Sequence, residues 1–178
     1  MNVRNLTSLT LTLITLVLFL FPAPSFAAID SDWRTEAKLG YAWLNYHDSK
    51  QQGPSVSLMA ARRVFDTLFV KLDCEMVFLD INDSAKDNVY EFSFGINYDI
   101  DILPVIPTLG TGIGPTIIHD PVTNQTQTTA SWHLLLALQY FVTDNFGLGG
   151  EVKYHFLFSE FSQDPIYFTL LFKMMIAF

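Results

Sequence analysis

Cysteine is nearly absent: Cys74 is the only one in 178 residues, so no internal disulfide can form. Nothing beside it in the sequence marks a reactive thiol, and a small apolar filler is its expected role. Charge is scarce as well. Charged residues make up 16% of the chain, against about 25% in a soluble domain. Basic residues are the minority among them, 10 Lys+Arg against 18 Asp+Glu, for a net charge of −8. Nucleic-acid binding needs a basic surface, so no nucleic-acid partner is expected. Long apolar runs are missing, with one exception at the N-terminus. The 50% hydrophobic content therefore cannot be placed in membrane-spanning helices, which need about 20 consecutive apolar residues each. No phosphate loop, cysteine cluster or nucleophile elbow is present, so no cofactor is expected.

The exceptional run lies in residues 1–27 and has the layout of a secretory signal peptide. Arg4 supplies the positive start, Leu9 to Phe21 the apolar stretch, and Pro22 and Pro24 the break after it. Ser25-Phe26-Ala27 places small residues where a signal peptidase reads them, so cleavage is expected after Ala27. The run is short for a retained anchor. The remaining residues, 28–178, keep nine of the ten basic residues, losing only Arg4, and every acidic one. They form one domain by length.

What fills that domain is alternation. In 89–99, Tyr90, Phe92, Phe94, Ile96 and Tyr98 interleave with Glu91, Ser93, Gly95, Asn97 and Asp99. Period two puts the two sets on opposite faces of a strand. In 166–178, Ile166, Phe168, Leu170, Phe172, Met174, Ile176 and Phe178 form one such face. Six more segments alternate: 34–46, 54–63, 67–79, 104–118, 131–141 and 146–158. Almost every strand charge falls on the face opposite the apolar one, with Arg62, at a strand end, as the exception.

A water-soluble sandwich also alternates, with its apolar face inward. Here the apolar faces are unbroken and aromatic-rich, and the export signal sends the chain through a membrane, which favours apolar faces outward against lipid. The segments suit a tilted crossing, which needs about 9–11 residues. Tyr90 and Tyr98 bracket the fourth segment, and Trp132 and Tyr140 the sixth. Eight residues of a tilted strand cover roughly 20 Å of depth, enough to set amphipathic rings at both interfaces. Tyr41 and Trp43 fit the same girdles. An open sheet edge in lipid leaves backbone groups unpaired, so the sheet must close. The predicted fold is all-β: a closed, antiparallel, up-and-down transmembrane β-barrel of about eight strands. Polar stretches at 47–53, 80–88, 119–130 and 159–165 read as long loops on one side, with shorter turns near Val64–Asp66, Asp99–Leu103 and Val142–Asn145 on the other.

The C-terminal strand carries the most specific resemblance. Phe178 is the last residue, and Leu170, Phe172, Met174 and Ile176 alternate before it. This resembles the assembly signal of bacterial outer-membrane barrels, with Ile176 where a Tyr is usual. The chain as a whole resembles the small eight-stranded outer-membrane barrels of Gram-negative bacteria. The resemblance implies an outer-membrane location, contact with its lipid and lipopolysaccharide, and assembly by the barrel-insertion machinery with periplasmic chaperones. It implies a monomer. It does not fix a role, because that family includes structural barrels, narrow channels and lipid-modifying enzymes.

The face opposite the apolar one would line the lumen. It carries Glu36, Asp73, Glu75, Glu91, Asp99 and Glu151 against Lys38, Arg63, Lys71, Lys153 and Lys173, with His133 and His155 facing each other across a hairpin. Side chains fill the interior of a barrel this small, so a polar, ion-paired plug is the leading expectation. The inward glycines Gly95, Gly110, Gly112, Gly114, Gly147 and Gly149 leave room for a narrow solute channel as the alternative. The histidine pair could also be built into a metal or pH-sensing site, though lumenal polar filling is the simpler use. A third reading is enzymatic. The Gly112-Ile113-Gly114-Pro115 run and the late-strand His155 resemble lipid A deacylases. That enzyme pattern sets His and Ser two residues apart, whereas Leu157 stands there and Ser159 is four residues on, about 13 Å along a strand. No catalytic residue is therefore expected, and the favoured role is a structural or surface-interaction barrel.

Overall fold

In a computed structural model, the chain is described over residues 31–46, 49–81, 85–101, 104–120, 125–158 and 166–178. The expected signal peptide and its cleavage site lie outside the described residues. Eight strands follow one another: β1 Trp33–Tyr46, β2 Ser49–Phe65, β3 Leu68–Ile81, β4 Ala85–Asp99, β5 Val105–Asp120, β6 Gln125–Phe141, β7 Phe146–Leu157 and β8 Ile166–Ala177. Each pairs antiparallel with the next, and β8 returns to β1, from Arg34 opposite Ala177 to Asn45 opposite Ile166. The seam is sealed at its end by Trp33 N donating to Phe178 O at 3.0 Å and Phe178 N donating to Trp33 O at 2.9 Å. Closure leaves the sheet no edge.

The faces follow the period of the sequence. Phe94 and Leu136 are 56% and 54% exposed, while Lys38, Lys153 and Lys173 are at most 2% exposed. A protein folded for water buries such residues the other way round. This barrel is inverted, so the medium its outer wall fits is hydrocarbon. Outward aromatics gather at two levels. Away from the end where β1 begins and β8 finishes, Tyr41 and Trp43 lie 5.1 Å apart, Trp43 and Phe168 5.6 Å, and Trp132 stacks on Phe156 at 4.9 Å. Tyr90 lies at this far level, paired with Met76 and Ile117. Trp33, Tyr98 and Tyr140 lie at the near level. Amphipathic rings favour the two bilayer interfaces. The outward residues of β8 are Leu170, Phe172, Met174, Ile176 and, just beyond it, Phe178, all exposed.

The connections differ from the sequence expectation on one side. At the near end the turns are short. Asp66 and Thr67 join β2 to β3, and at 142–145 the amides of Val142 and Thr143 both donate to Phe146 O. At the far end the strands run on into the stretches read as loops. β2 begins at Ser49, β4 at Ala85 and β6 at Gln125, and Asp120 pairs with Gln125. The stretch 119–130 is therefore mostly a two-stranded ribbon, not a loop. Alternation stops there because both faces meet water, but backbone pairing does not need it, and threonine favours strands. Thr126, Gln127 and Thr128 are exposed on this ribbon.

A lysine on the outward face should impair insertion. Phe94→Lys and Leu136→Lys are expected to cost about 2–4 kcal/mol each near mid-membrane, whereas Leu136→Val should cost far less. The folded fraction after refolding into phospholipid vesicles measures this. Unchanged insertion of both lysine variants would mean that this wall does not face lipid.

Candidate functional site

Every inward residue of the middle of the barrel comes from the polar parity of its strand, so the lumen gathers charges far apart in the chain. Lys153 on β7 donates to Asp73 at 2.6 Å and to Glu75 at 2.8 Å, both on β3. Lys38 on β1 donates to Glu151 on β7 at 2.7 Å and lies 3.5 Å from Asp73. Lys173 on β8 reaches Glu36 at 3.4 Å and Gln139 Oε1 at 3.1 Å. Ser57 and Ser55 donate to Asp73 and Glu75 at 2.6 and 3.0 Å. A charge withdrawn from water must be paired and hydrogen-bonded to be tolerated. Here the shortest ion pairs run between strands, and longer ones run along a strand, as from Arg34 to Glu36 at 3.2 Å.

Glu91 on β4 holds a second cluster. Its carboxylate accepts from His133 Nδ1 at 2.8 Å, His155 Nδ1 at 2.7 Å and the Tyr167 hydroxyl at 2.6 Å. The two histidines are direct cross-strand partners with rings 5.4 Å apart. The His155 ring also stacks on Tyr167 at 3.8 Å. Lys71 Nζ donates to His133 Nε2 at 3.2 Å. A lysine ammonium has only protons to give, so His133 Nε2 must accept and its Nδ1 must carry the proton that Glu91 receives. That assignment follows from the network rather than from observed hydrogens.

Glu91, His133 and His155 offer ligand atoms within 4.8 Å of one another, close enough to surround an ion. The chemistry of the donor set argues against that use. An ion held at the Glu91 side of the two rings would need the Nδ1 lone pair of each, and the Lys71 contact commits the His133 lone pair to the opposite side of its ring. The cluster reads instead as one carboxylate satisfied by three donors.

The near end has its own arrangement. Arg34 Nη1 donates to Asp99 at 2.7 Å, and Asp99 also accepts from Thr108 at 2.7 Å and Gln139 at 2.9 Å. Arg34 stacks over the Phe69 ring at 4.4 Å. Arg63, expected in the ionic network, is not there. It sits at the near rim with its guanidinium 5.6 Å from the same ring and makes no ion pair among the described residues. A register shift between Arg63 and Phe65 turns the strand end there, so parity stops being a guide. The others of that set come together: Glu36, Lys38, Lys71, Asp73, Glu75, Glu91, His133, Glu151, Lys153, His155 and Lys173 are all buried inside. Arg34 and Tyr167 are members that sequence reasoning missed. Their signal was present, since Arg34 shares the parity of Glu36 and Lys38, and Tyr167 that of Thr169 and Lys173.

The lumen is not polar throughout. At the far end Ala42, Leu44, Val77, Leu79, Val89 and Leu157 form a buried apolar cluster against Tyr167. At the near end Ile106, Phe141, Met175 and Ala177 form another, beside Met59, Ala61 and Phe69. The ionic layer is flanked by an apolar cluster at the far end and by a mixed near end, where these apolar residues share a rim with Arg34, Arg63 and Asp99. The inward glycines are closely approached by their neighbours. A Cβ on Gly112 would stand 2.6 Å from His133 Cε1, and one on Gly149 3.1 Å from Lys173 Cε, whereas at Gly95 and Gly114 the close atoms belong to the adjoining backbone.

No family model matches the chain, and none of the curated proteins matches it. Solved structures do. Neisserial surface protein A is 20% identical with a TM-score of 0.73, over 83% of this chain and 98% of that one. The N-terminal β-barrel domain of Pseudomonas aeruginosa OprF is 12% identical with a TM-score of 0.56, over 83% and 98%. Ail, the attachment invasion locus protein of Yersinia pestis, is 16% identical with a TM-score of 0.53, over 83% and 99%. The chain has the fold of the small eight-stranded outer-membrane barrels. His155, the late-strand histidine, is fully buried and bound to Glu91 rather than facing lipid, and Ser159 lies outside the described residues.

Two substitutions test the lumen. Lys153→Met leaves Asp73 and Glu75 without their shortest partner and should cost about 3–5 kcal/mol, the scale for breaking a buried ionic pair. Gly112→Ala should cost about 1–3 kcal/mol by pushing His133 off Glu91. Both are read from urea unfolding midpoints in vesicles, and wild-type midpoints would contradict the packing described.

Proposed function

We propose that this protein is an outer-membrane barrel of Gram-negative bacteria with a structural or surface-interaction role and a lumen closed to solutes. The observation that carries the reading is the layered filling of the interior. An ionic layer in which Lys153 ties β7 to the opposite wall at β3, and Lys38 and Lys173 link β1, β7 and β8, lies between apolar clusters toward both ends. A channel needs a continuous wet path lined by groups an ion can exchange with, and buried, mutually paired charges beneath an apolar far end work against one.

What is left for function is the surface. The strands exceed the roughly 9–11 residues of a tilted crossing, β2 and β6 having 17 each and β5 having 16. The surplus at the far end makes paired ribbons that stand clear of the bilayer. The β5–β6 ribbon, with its threonines and glutamines, is the best-built platform for a contact outside the cell. A secretory leader on residues 1–27 fits this location, as do a monomeric state, contact with lipopolysaccharide and lipid, and delivery by periplasmic chaperones. The barrel-insertion machinery would read the β8 face ending in Phe178. The reading assigns no enzymatic activity to the chain. It is supported by the burial of His155, the one histidine placed like a deacylase base.

Planar-bilayer recording on the refolded protein tests the closed lumen. The expected trace is silent at all voltages. Steady, solute-permeable openings would favour the narrow-channel reading instead.

A further inference from the structure

Between the far girdle and the near end of the barrel, Arg62, close to the near-end terminus of β2, puts a charge on the outward face. It pairs in register with Trp33, and its guanidinium lies 5.4 Å over the Trp33 ring. No carboxylate partners it among the described residues. A charged group facing lipid is tolerated near an interface and costly in mid-membrane. At the level of the near aromatic girdle, headgroup oxygens come within reach of a side chain that points out of the wall. A guanidinium is a planar fork that matches a phosphate with two parallel hydrogen bonds.

Directly above Arg62 the outer wall is hollowed. Thr35, Ala60 and Cys74 are small outward residues, bordered by Leu58, Leu72 and Phe94, and they line an apolar groove of about 670 Å³. Thr35, Ala60, Leu72 and Phe94 stand side by side on one register row across β1 to β4. Ala60 is two residues from Arg62, about 7 Å along the strand. The volume falls within the roughly 300–1,000 Å³ of small-molecule sites. A cation at the interface, with an apolar groove on the mid-membrane side beginning one outward residue away at Ala60, has the polarity of one molecule type: an anionic headgroup joined to an acyl chain.

We propose that this face is a binding site for a glycerophospholipid of the near-end leaflet, with its phosphate on Arg62 beside Trp33 and an acyl chain in the groove over Ala60 and Cys74. The site rests on the outer wall facing lipid but is independent of whether the lumen is closed. It would seat one lipid in a fixed place against the β1–β4 wall.

The test is native mass spectrometry of the full protein released from detergent micelles, with palmitoyl-oleoyl-phosphatidylglycerol as the probe. Palmitoyl-oleoyl-glycerol, which has the same chains and no phosphate, is the control. One phospholipid should be retained per barrel and the control should not. Arg62→Gln should lower retention about tenfold, the worth of one or two charge-assisted hydrogen bonds. Ala60→Phe fills the groove from outside without touching the lumen and should lower retention likewise. Leu136→Phe, on another part of the wall, should leave it unchanged. Equal retention of the two probes, or undiminished retention by both Arg62→Gln and Ala60→Phe, would overturn the proposal. A chain that stays folded and dispersed without any detergent would instead overturn the membrane placement beneath it.

Discussion

A backbone amide that faces hydrocarbon has no water to bond, and every other feature of this barrel follows from that constraint. Strands can satisfy it only by pairing on both sides, so the sheet must close and β8 must find β1. Closure at eight strands then leaves an interior too narrow for bulk solvent and too wide to be empty, which side chains must fill. The outer wall has to be apolar to sit in lipid. The polar residues that alternate with it have no other place than the inside, where burial obliges them to find one another. The ion pairs of the lumen are thus the complement of the lipid-facing wall, fixed by the same period of two.

That coupling explains how the electrostatics are arranged. Arg34, Lys38, Lys71, Lys153 and Lys173 stand against Glu36, Asp73, Glu75, Glu91, Asp99 and Glu151, so the charges nearly cancel within the lumen. Carboxylates are shared: Asp73 serves both Lys38 and Lys153, and Glu91 serves two histidines and a tyrosine. Neutral donors such as Ser55, Ser57 and Thr108 take up remaining lone pairs. The layer is buried, which strengthens each pairing and raises the cost of any that is lost.

The sequence was legible where lipid imposes a strict period and less so where it does not. From Trp132 to Tyr140, or from Tyr90 to Tyr98, each residue must face lipid or lumen, and alternation assigns its side directly. Past the girdles both faces are wet. Thr126, Gln127 and Thr128 therefore show no contrast, and the strands end later than hydropathy implies. Inside the lumen, alternation shows which residues point inward but not which partners they meet, because partners such as Lys38 and Glu151 are 113 positions apart. The far-end apolar cluster was hidden for a related reason. Leu44, Val77, Leu79 and Leu157 have inward parity yet look like ordinary lipid-facing residues, and only the stagger of the strands stacks them at one end. Arg63 escaped because a register shift ends the period just where it stands.

The long reach of the lumenal pairs has a consequence for how the barrel forms. Lys173 and Glu36 are separated by 137 residues, and Lys153 and Asp73 by 80. Few of these contacts exist within a hairpin, so an incomplete sheet gains little from them while still carrying the charges. Folding dominated by such distant contacts is slow, because loop closure precedes its reward. The same reasoning makes opening slow. Parting β8 from β1 separates Lys173 from Glu36 before any compensating contact can form, which sets a high barrier to unfolding. The charges inside this barrel act as a test of completeness, satisfied only when the last strand has met the first.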